Sequence, residues 1–297
     1  MNKRCGFVAI IGRPNVGKST LLNRILGQKI SITSRRPQTT RHRIYGIKTS
    51  EQFQVIYVDT PGLHLDAKRA MNHYMNQAAN QSLHDVDVII FITEGTRWTA
   101  EDDWIAKRLA SASAPKILVV NKVDLVQDKA RLLPHISTVT EKMHCDSVIP
   151  LSAKSGENLD ELEKLVEKYM PEGEYCFPEE QITDKSERFL AAELIREKLT
   201  RQLNQEVPFF LTVEIEQFAA EADIINISAV IWVERDGQKA IVIGEKGKVL
   251  KQIGMQARMS MEQLFGQKVY LQLWVRVKSG WSNDIRALHS LGYREDV

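Results

Sequence analysis

Gly12-Arg13-Pro14-Asn15-Val16-Gly17-Lys18-Ser19 decides how the first half of this chain folds. The stretch follows the apolar run 7–11 and opens a helical pattern over 18–26, so it reads as a strand, a tight glycine loop and a helix. Glycines let the backbone bend until successive N–H groups point inward, and the helix N-terminus adds its positive end, an arrangement that wraps a phosphate chain. Lys18 then supplies a mobile point charge for β- and γ-phosphates, and the Ser19 hydroxyl is a hard oxygen ligand for Mg²⁺. Thr20 completes the stretch expected to line the nucleotide.

Outward from this loop, short runs rich in Val and Ile alternate with amphipathic patterns. Residues 44–48 and 53–58 form a hairpin pair around a polar turn, and 86–93, 116–120 and 147–151 read as buried strands. Helical patterns lie at 70–84, 100–111, 129–143 and 158–169. Such alternation implies an α/β fold with a mostly parallel sheet flanked by helices, whose ligand sits at the carboxyl ends of the strands.

Three more motifs fall at those ends. Asp59-Thr60-Pro61-Gly62 places a carboxylate near the metal and the Gly62 N–H where it can sense a γ-phosphate. Asn121-Lys122-Val123-Asp124 chooses the base: ionised Asp124 only accepts hydrogen bonds and so matches the N1–H and 2-amino donors of guanine, whereas adenine has a lone pair at N1. Asn121 is expected to brace the loop or reach the base N7, and the Lys122 stem to lie along the ring. In Ser152-Ala153-Lys154 the Ala153 N–H is expected to donate to guanine O6. The basic stretch 34–43 reads as a mobile loop whose Thr40, or else Thr39, completes the Mg²⁺ shell and is released on hydrolysis. Lys18, Thr40 and Gly62 are thus the catalytic candidates, and Ser19, Thr40 and Asp59 the metal ligands. Leu63 stands where Ras-like GTPases carry a water-orienting glutamine, so intrinsic hydrolysis should be slow. The missing element could be a backbone-held water, a monovalent cation such as K⁺ near Asn15, a partner macromolecule or, less readily, His64.

Pro171, Gly173, Pro178 and several glutamates break the pattern, giving a first domain over 1–170, a linker over 171–184 and a second domain over 185–297. The second opens with a helix over 186–203 and strands over 209–218 and 224–234. A short strand at 240–243 is expected to lead into Gly244-Glu245-Lys246-Gly247-Lys248, with a helix to about 265, a strand over 268–277 and a terminal helix after Trp281. Between 239 and 278 there are eight Lys/Arg against two acidic residues, although the whole chain of 297 residues carries only +2. A GxxG turn flanked by Lys246, Lys248 and Lys251 at a helix N-terminus suits a single-stranded phosphate backbone. Trp274, Trp281 and Tyr293 are candidates to stack on bases or to serve as core aromatics.

Bulk properties narrow the class. With 43% hydrophobic and 26% charged residues the composition is that of a globular protein, and no apolar run is long enough to span a bilayer. The apolar stretch behind Met1-Asn2-Lys3-Arg4 is too short for a signal peptide, so a cytoplasmic location is expected. Cys5, Cys145 and Cys176 are widely spaced and lack metal-ligand spacing, which argues against a disulfide framework or zinc site.

These motifs, with Gln38-Thr39-Thr40-Arg41-His42, Glu94-Gly95-Thr96-Arg97-Trp98 and Lys278-Ser279-Gly280-Trp281, resemble nearly end to end the Era family of two-domain bacterial GTPases. The resemblance implies a P-loop GTPase domain followed by an α+β type II KH domain, with GTP or GDP and Mg²⁺ as ligands. It also implies the 3′ end of 16S ribosomal RNA and the 30S subunit as partners, a role in 30S maturation, and peripheral association with the cytoplasmic face of the cell membrane. A monomer is the default. Two rival readings are an RNA chaperone using GTP only as a structural ligand, and a membrane-associated signalling GTPase whose second domain binds protein.

Overall fold

The computed structural model describes residues 3–63, 70–83, 85–203 and 207–293. Two compact units divide them. One gathers 3–31, 40–63, 75–83 and 85–184, and the other 32–39, 70–74, 185–203 and 207–293.

The first unit is built on a six-stranded sheet in the order β2-β3-β1-β4-β5-β6. Its strands are β1 (Arg4–Ile11), β2 (Ile44–Thr49), β3 (Phe53–Asp59), β4 (Val88–Glu94), β5 (Lys116–Asn121) and β6 (Ser147–Pro150). Only the β2–β3 pair is antiparallel. Val8, Ile10, Ile11, Ile90, Phe91 and Val119 are wholly buried, as strands covered on both faces require. The covering helices are α1 (Lys18–Leu26), α2 (Ala70–Gln81) from residue 75 on, α3 (Ala100–Leu109), α4 (Leu132–Lys142) and α5 (Leu159–Tyr169). Because β1, β3, β4, β5 and β6 run parallel, Gly12, Asp59, Glu94, Asn121 and Ser152 all follow or end strands at one edge of the sheet.

Residues 171–184, expected as a linker, lie along the sheet of this unit. Pro171 accepts a hydrogen bond from Cys5 N (3.1 Å), and Ile182 accepts one from Ile47 N (2.9 Å). The buried Gln54 amide exchanges two bonds with the Phe177 backbone, at 2.8 and 2.9 Å. The segment also brings Cys176 Sγ to 3.4 Å from Cys5 Sγ, so two cysteines distant in sequence are neighbours, both as free thiols. Burial pushes the Cys5 thiol up to about 11.

The second unit contains α6 (Glu187–Gln202), β7 (Leu211–Ala220), β8 (Ile224–Val233), α7 (Asp236–Ile243), α8 (Lys248–Phe265), β9 (Lys268–Val277) and α9 (Ile285–Ser290). β8 is the central strand, antiparallel to β7 and parallel to β9. Leu199, Leu211, Ile227, Ile231, Ile253, Ala257 and Met261 join helices and strands in one core.

Here one expectation is corrected: 240–243 is helical, as the end of α7, and not a strand. The Gln238 side chain accepts from Glu234 N and Arg235 N, at 2.9 and 3.1 Å, tying down the start of the helix. Val242 is buried while Ile241 is 47% exposed. Four apolar residues are too few to separate a period of 2 from one of 3.6. The order helix–strand–strand–helix–turn–helix–strand replaces the one read from sequence.

The stretch 32–39, which includes the first part of the 34–43 segment expected to be a mobile loop, is tied to α6 within this unit. Glu197 Oε1 accepts from Thr33 N (3.0 Å), and Arg201 Nε donates to the Thr33 carbonyl (3.0 Å). Arg196, held by Glu193 at 2.6 and 2.7 Å, also donates to the Thr39 carbonyl. These bonds explain why Glu193, Arg196 and Glu197 are buried on a helix that reads as amphipathic.

Candidate functional site: a phosphate loop, a base pocket and a basic glycine turn

The loop 12–19 is shaped by contacts that only glycine permits at two places. A Cβ on Gly12 would lie 2.6 Å from the Ile92 carbonyl oxygen. Gly17 has φ +112°, and a Cβ there would lie 2.2 Å from Asn121 Nδ2. The start of α1 therefore lies directly against the Asn121 side chain.

Lys18 is buried and its ammonium donates to the carbonyls of Gly12 (2.8 Å) and Arg13 (3.0 Å). Burial lowers it to about 8, against the opposing charge of Asp59. Ser19 Oγ donates to Asp59 Oδ2 (2.7 Å) and lies 2.8 Å from Thr40 Oγ1. Ser31 Oγ donates to the same Asp59 oxygen at 2.8 Å. The other carboxylate oxygen, Oδ1, is buried without a hydrogen-bond partner. Burial holds the Asp59 carboxyl above the usual range, opposed by its hydroxyl donors and by Lys18. An unsatisfied buried carboxylate oxygen beside two hydroxyls is an all-oxygen donor set, the chemistry a hard divalent cation takes.

Thr60 Oγ1 is bound to the Ile10 carbonyl (2.9 Å), which fixes the chain leaving β3. A Cβ on Gly62 would come within 2.9 Å of Pro14, so this backbone can approach the loop only as glycine. Leu63 is 1% exposed and packs with Ala9, Ile11 and Phe91 in the core. His64 lies outside the described residues.

At the other end of the site, Asn121 Nδ2 donates to the Val16 carbonyl (2.7 Å), bracing the loop as expected. Its Oδ1 accepts from Ala153 N at 2.9 Å, so the N–H expected to reach a base oxygen is held by Asn121 in this structure. Lys122 has φ +63° and its ammonium donates to the Asn15 carbonyl at 2.8 Å. Asp124 is exposed, with Ser152 Oγ donating to its Oδ1 at 2.7 Å. Lys154 is exposed and its carbonyl accepts from Arg24. The structure thus brings 12–20, Thr40, 59–62, 121–124 and 152–154 to one edge. Sequence reasoning gave no role to Ser31, Glu94 or Asp102; of these only Asp102 had a local signal, as the acidic partner of Thr99 in a helix-capping box.

In the second unit Gly244, Lys246 and Gly247 all take positive φ, +71°, +50° and +75°. A Cβ on Gly244 would lie 2.3 Å from Val249 Cγ2, so its glycine is required, while nothing stands near Gly247. The turn ends as the N-terminus of α8, with Lys246, Lys248 and Lys251 exposed around it. Trp274 is 42% exposed on β9. Trp281 and Tyr293, at 0% and 2%, stack on each other with centroids 6.3 Å apart, so these two candidates for base stacking are core aromatics.

A family profile described as a 50S ribosome-binding GTPase matches residues 7–122, and a KH-domain profile matches 206–282. The chain is 57% identical over 294 residues to the GTPase Era of Yersinia enterocolitica, covering 99% of this chain and 97% of that protein. It belongs to the Era family of GTPases. The GTPase Era of Pseudomonas aeruginosa is 58% identical over 290 residues, covering 98% of this chain and 95% of that protein. A crystal structure of Era with MgGDPNP and nucleotides 1506–1542 of 16S ribosomal RNA superposes with a TM-score of 0.95 at 40% identity, covering 99% of this chain and 100% of that one. An Aquifex aeolicus Era variant bound to GDP and AlF4⁻ gives a TM-score of 0.94, also at 40% identity, covering 98% and 100%. As an Era GTPase the chain is a GTP-hydrolysing enzyme, with a P-loop GTPase domain followed by a KH domain.

Proposed function

We propose that this GTPase is a nucleotide-operated switch that captures the 3′ end of 16S ribosomal RNA on its KH domain and acts in assembly of the 30S subunit. The observation that carries this is the pairing in one chain of a guanine-type loop set with an exposed, lysine-flanked GxxG turn. Era with MgGDPNP and a 16S segment is the structural relative that supports the choice of RNA.

In this reading the inward N–H groups of 12–17 cradle the phosphates, and Lys18 leaves the Gly12 and Arg13 carbonyls to meet the β- and γ-phosphate oxygens. Ser19 and Thr40 would hold Mg²⁺ with the Asp59 carboxylate beside them, and the cation when bound draws charge from the phosphate oxygens. Asp124 accepts from the guanine N1–H and 2-amino group. The Ala153 N–H turns from Asn121 to the base oxygen, while Asn121 keeps its hold on Val16. Leu63, buried in the core, has no means to orient water. We assign that part to the Gly62 N–H together with a monovalent cation beside Asn15. Replacing K⁺ with Na⁺ in a steady-state assay should therefore slow GTP turnover several-fold, and equal rates in the two salts would remove the cation from the account.

A pH dependence follows from Lys18. Its folded value near 8 lies below the ordinary lysine value, so between about pH 8 and 10 the unfolded chain holds the extra proton and stability of the nucleotide-free protein rises with pH. Phosphate binding favours the charged amine, so GDP binding above pH 8 takes up a proton and weakens with rising pH. Calorimetry at pH 8.5 in two buffers of different ionisation enthalpy should show that uptake. Identical apparent enthalpies would contradict it.

On the KH side, Glu245→Asp together with Lys246→Asp should abolish crosslinking to a 16S 3′-end RNA while leaving GTP affinity unchanged. If crosslinking persists, the GxxG turn is not the RNA surface. The resemblance also carries peripheral association with the membrane; no helix among the described residues is long and apolar enough to cross one.

A further inference from the structure

We propose that Glu94 is a positioning residue for the guanine nucleotide: one carboxylate that ties the phosphate loop to the base loop and so governs how long the nucleotide stays bound. The inference rests on the reading that 121–124 meets the base.

Glu94 is the last residue of β4, paired in register with Asn121. Its Oε2 accepts from Arg13 Nη2 at 2.8 Å and its Oε1 from Lys122 Nζ at 2.7 Å. Lys122 in turn binds the Asn15 carbonyl. A closed circuit therefore runs from Arg13 through Glu94 and Lys122 back to Asn15, in the loop that also contains Arg13. Burial opposes ionisation of Glu94, but the bonds from Lys122 and Arg13 outweigh it and hold its carboxyl below the usual range.

Arg13 is 7% exposed and is committed on its other side too, where Nε donates to Asp102 Oδ2 at 3.2 Å. Asp102, wholly buried, also accepts from Thr99 N (2.9 Å) and Thr99 Oγ1 (2.8 Å) at the start of α3. Two cations face two carboxylates, so the circuit is neutral before a diphosphate arrives. Arg13 is thus engaged in holding the loop and is not a free phosphate ligand. The turn after β4 aims Glu94 into this place: Gly95 N donates to the Asn121 carbonyl (2.7 Å) and Arg97 N to the Glu94 carbonyl (2.9 Å). Trp98 anchors the turn by packing edge-on against Phe91 and donating to Asp103 at 2.5 Å. The Glu94-to-Trp98 motif, to which the sequence assigned no side-chain role, acquires one as the mount for a carboxylate.

Removing the charge leaves Arg13 with Asp102 but leaves the Lys122 ammonium, partly shielded from water, with a carbonyl alone. Without that tie the phosphate loop and the base loop are held together less firmly around a bound nucleotide, and the effect falls on its release. In the full-length protein, Glu94→Gln should speed release of a fluorescent GDP analogue by on the order of 10-fold or more, with a single-turnover rate constant for saturating GTP within about 2-fold of the parent. Glu94→Asp, whose shorter side chain reaches one cation but not both, should fall between. Because Glu94 acts through Lys122, adding Glu94→Gln to Lys122→Met should accelerate release no further than Lys122→Met does alone. Unchanged release in both Glu94 variants would overturn the proposal, as would additive effects in the double variant or a fall in hydrolysis matching a fall in melting temperature. Failure of the base assignment would look different, because the parent protein itself would then bind adenine and guanine nucleotides alike.

Discussion

Asp124→Asn is expected to cost the protein its guanine nucleotides and to move its preference toward xanthine. The carboxylate is exposed, fixed on one side by the Ser152 hydroxyl, and in our reading accepts two hydrogen bonds from the guanine edge. An asparagine can keep the Ser152 bond through its oxygen, which turns its amide N–H toward the N1–H and 2-amino donors. Two charge-assisted bonds lost and donor set against donor amount to about 3–4 kcal/mol, or roughly 10²- to 10³-fold weaker GDP binding. Xanthine offers an acceptor oxygen at position 2, so xanthosine diphosphate should bind the variant better than GDP does. Stability should move by less than about 0.5 kcal/mol, as at an exposed position. Calorimetric titration of GDP, xanthosine diphosphate and ADP into both proteins checks this, and unaltered GDP affinity would remove Asp124 from the base site.

Gly17→Ala should be nearly as damaging, for a steric reason. The new methyl would lie 2.2 Å from Asn121 Nδ2 in a backbone with φ +112°. Asn121 would have to swing away, giving up Val16 and Ala153 together. We expect a stability loss of about 2–4 kcal/mol and GDP affinity reduced at least about 10²-fold. Gly27→Ala is the control: φ is +66° but nothing stands within 4 Å, so only about 1 kcal/mol should be lost and nucleotide affinity retained. Thermal unfolding and GDP titration of both variants make the comparison. Equal behaviour of the two would show that the contact with Asn121 is not what makes Gly17 necessary.

What could be read from the residues had local causes. The loop 12–19 announces itself because a phosphate-wrapping backbone needs glycine at defined places, and the parallel strands because burial on both faces leaves continuous Val and Ile runs. The same logic placed Asp59, Asn121 and Ser152 at strand ends on one edge. What escaped was set at long range. Nothing near Glu94 in sequence announces Arg13 or Lys122, 81 and 28 residues away. The Gln54 amide explains why 171–184 lies on the sheet, but only once a partner 123 residues distant is known. Trp281 and Tyr293 differ from Trp274 in burial, which composition does not carry. The 240–243 run failed because four apolar residues fit either period, and Gln238, the residue that starts the helix, is polar and gives no hydrophobic signal. In 34–43, polar and basic character suggested a mobile loop, whereas Arg196 on α6 donates to the Thr39 carbonyl and Arg36 donates to the Leu203 carbonyl just past that helix.

The account stands on nucleotide control of RNA capture, and the direct measurement is the affinity of the full-length protein for a 16S 3′-end RNA in GDPNP with Mg²⁺, in GDP with Mg²⁺ and without nucleotide, at one fixed salt concentration. Tightest binding with GDPNP, weakened at least about 10-fold with GDP, corresponds to a coupling of about 1.4 kcal/mol or more and is the result expected. Equal affinity in all three states would mean that the two domains share a chain without sharing a switch.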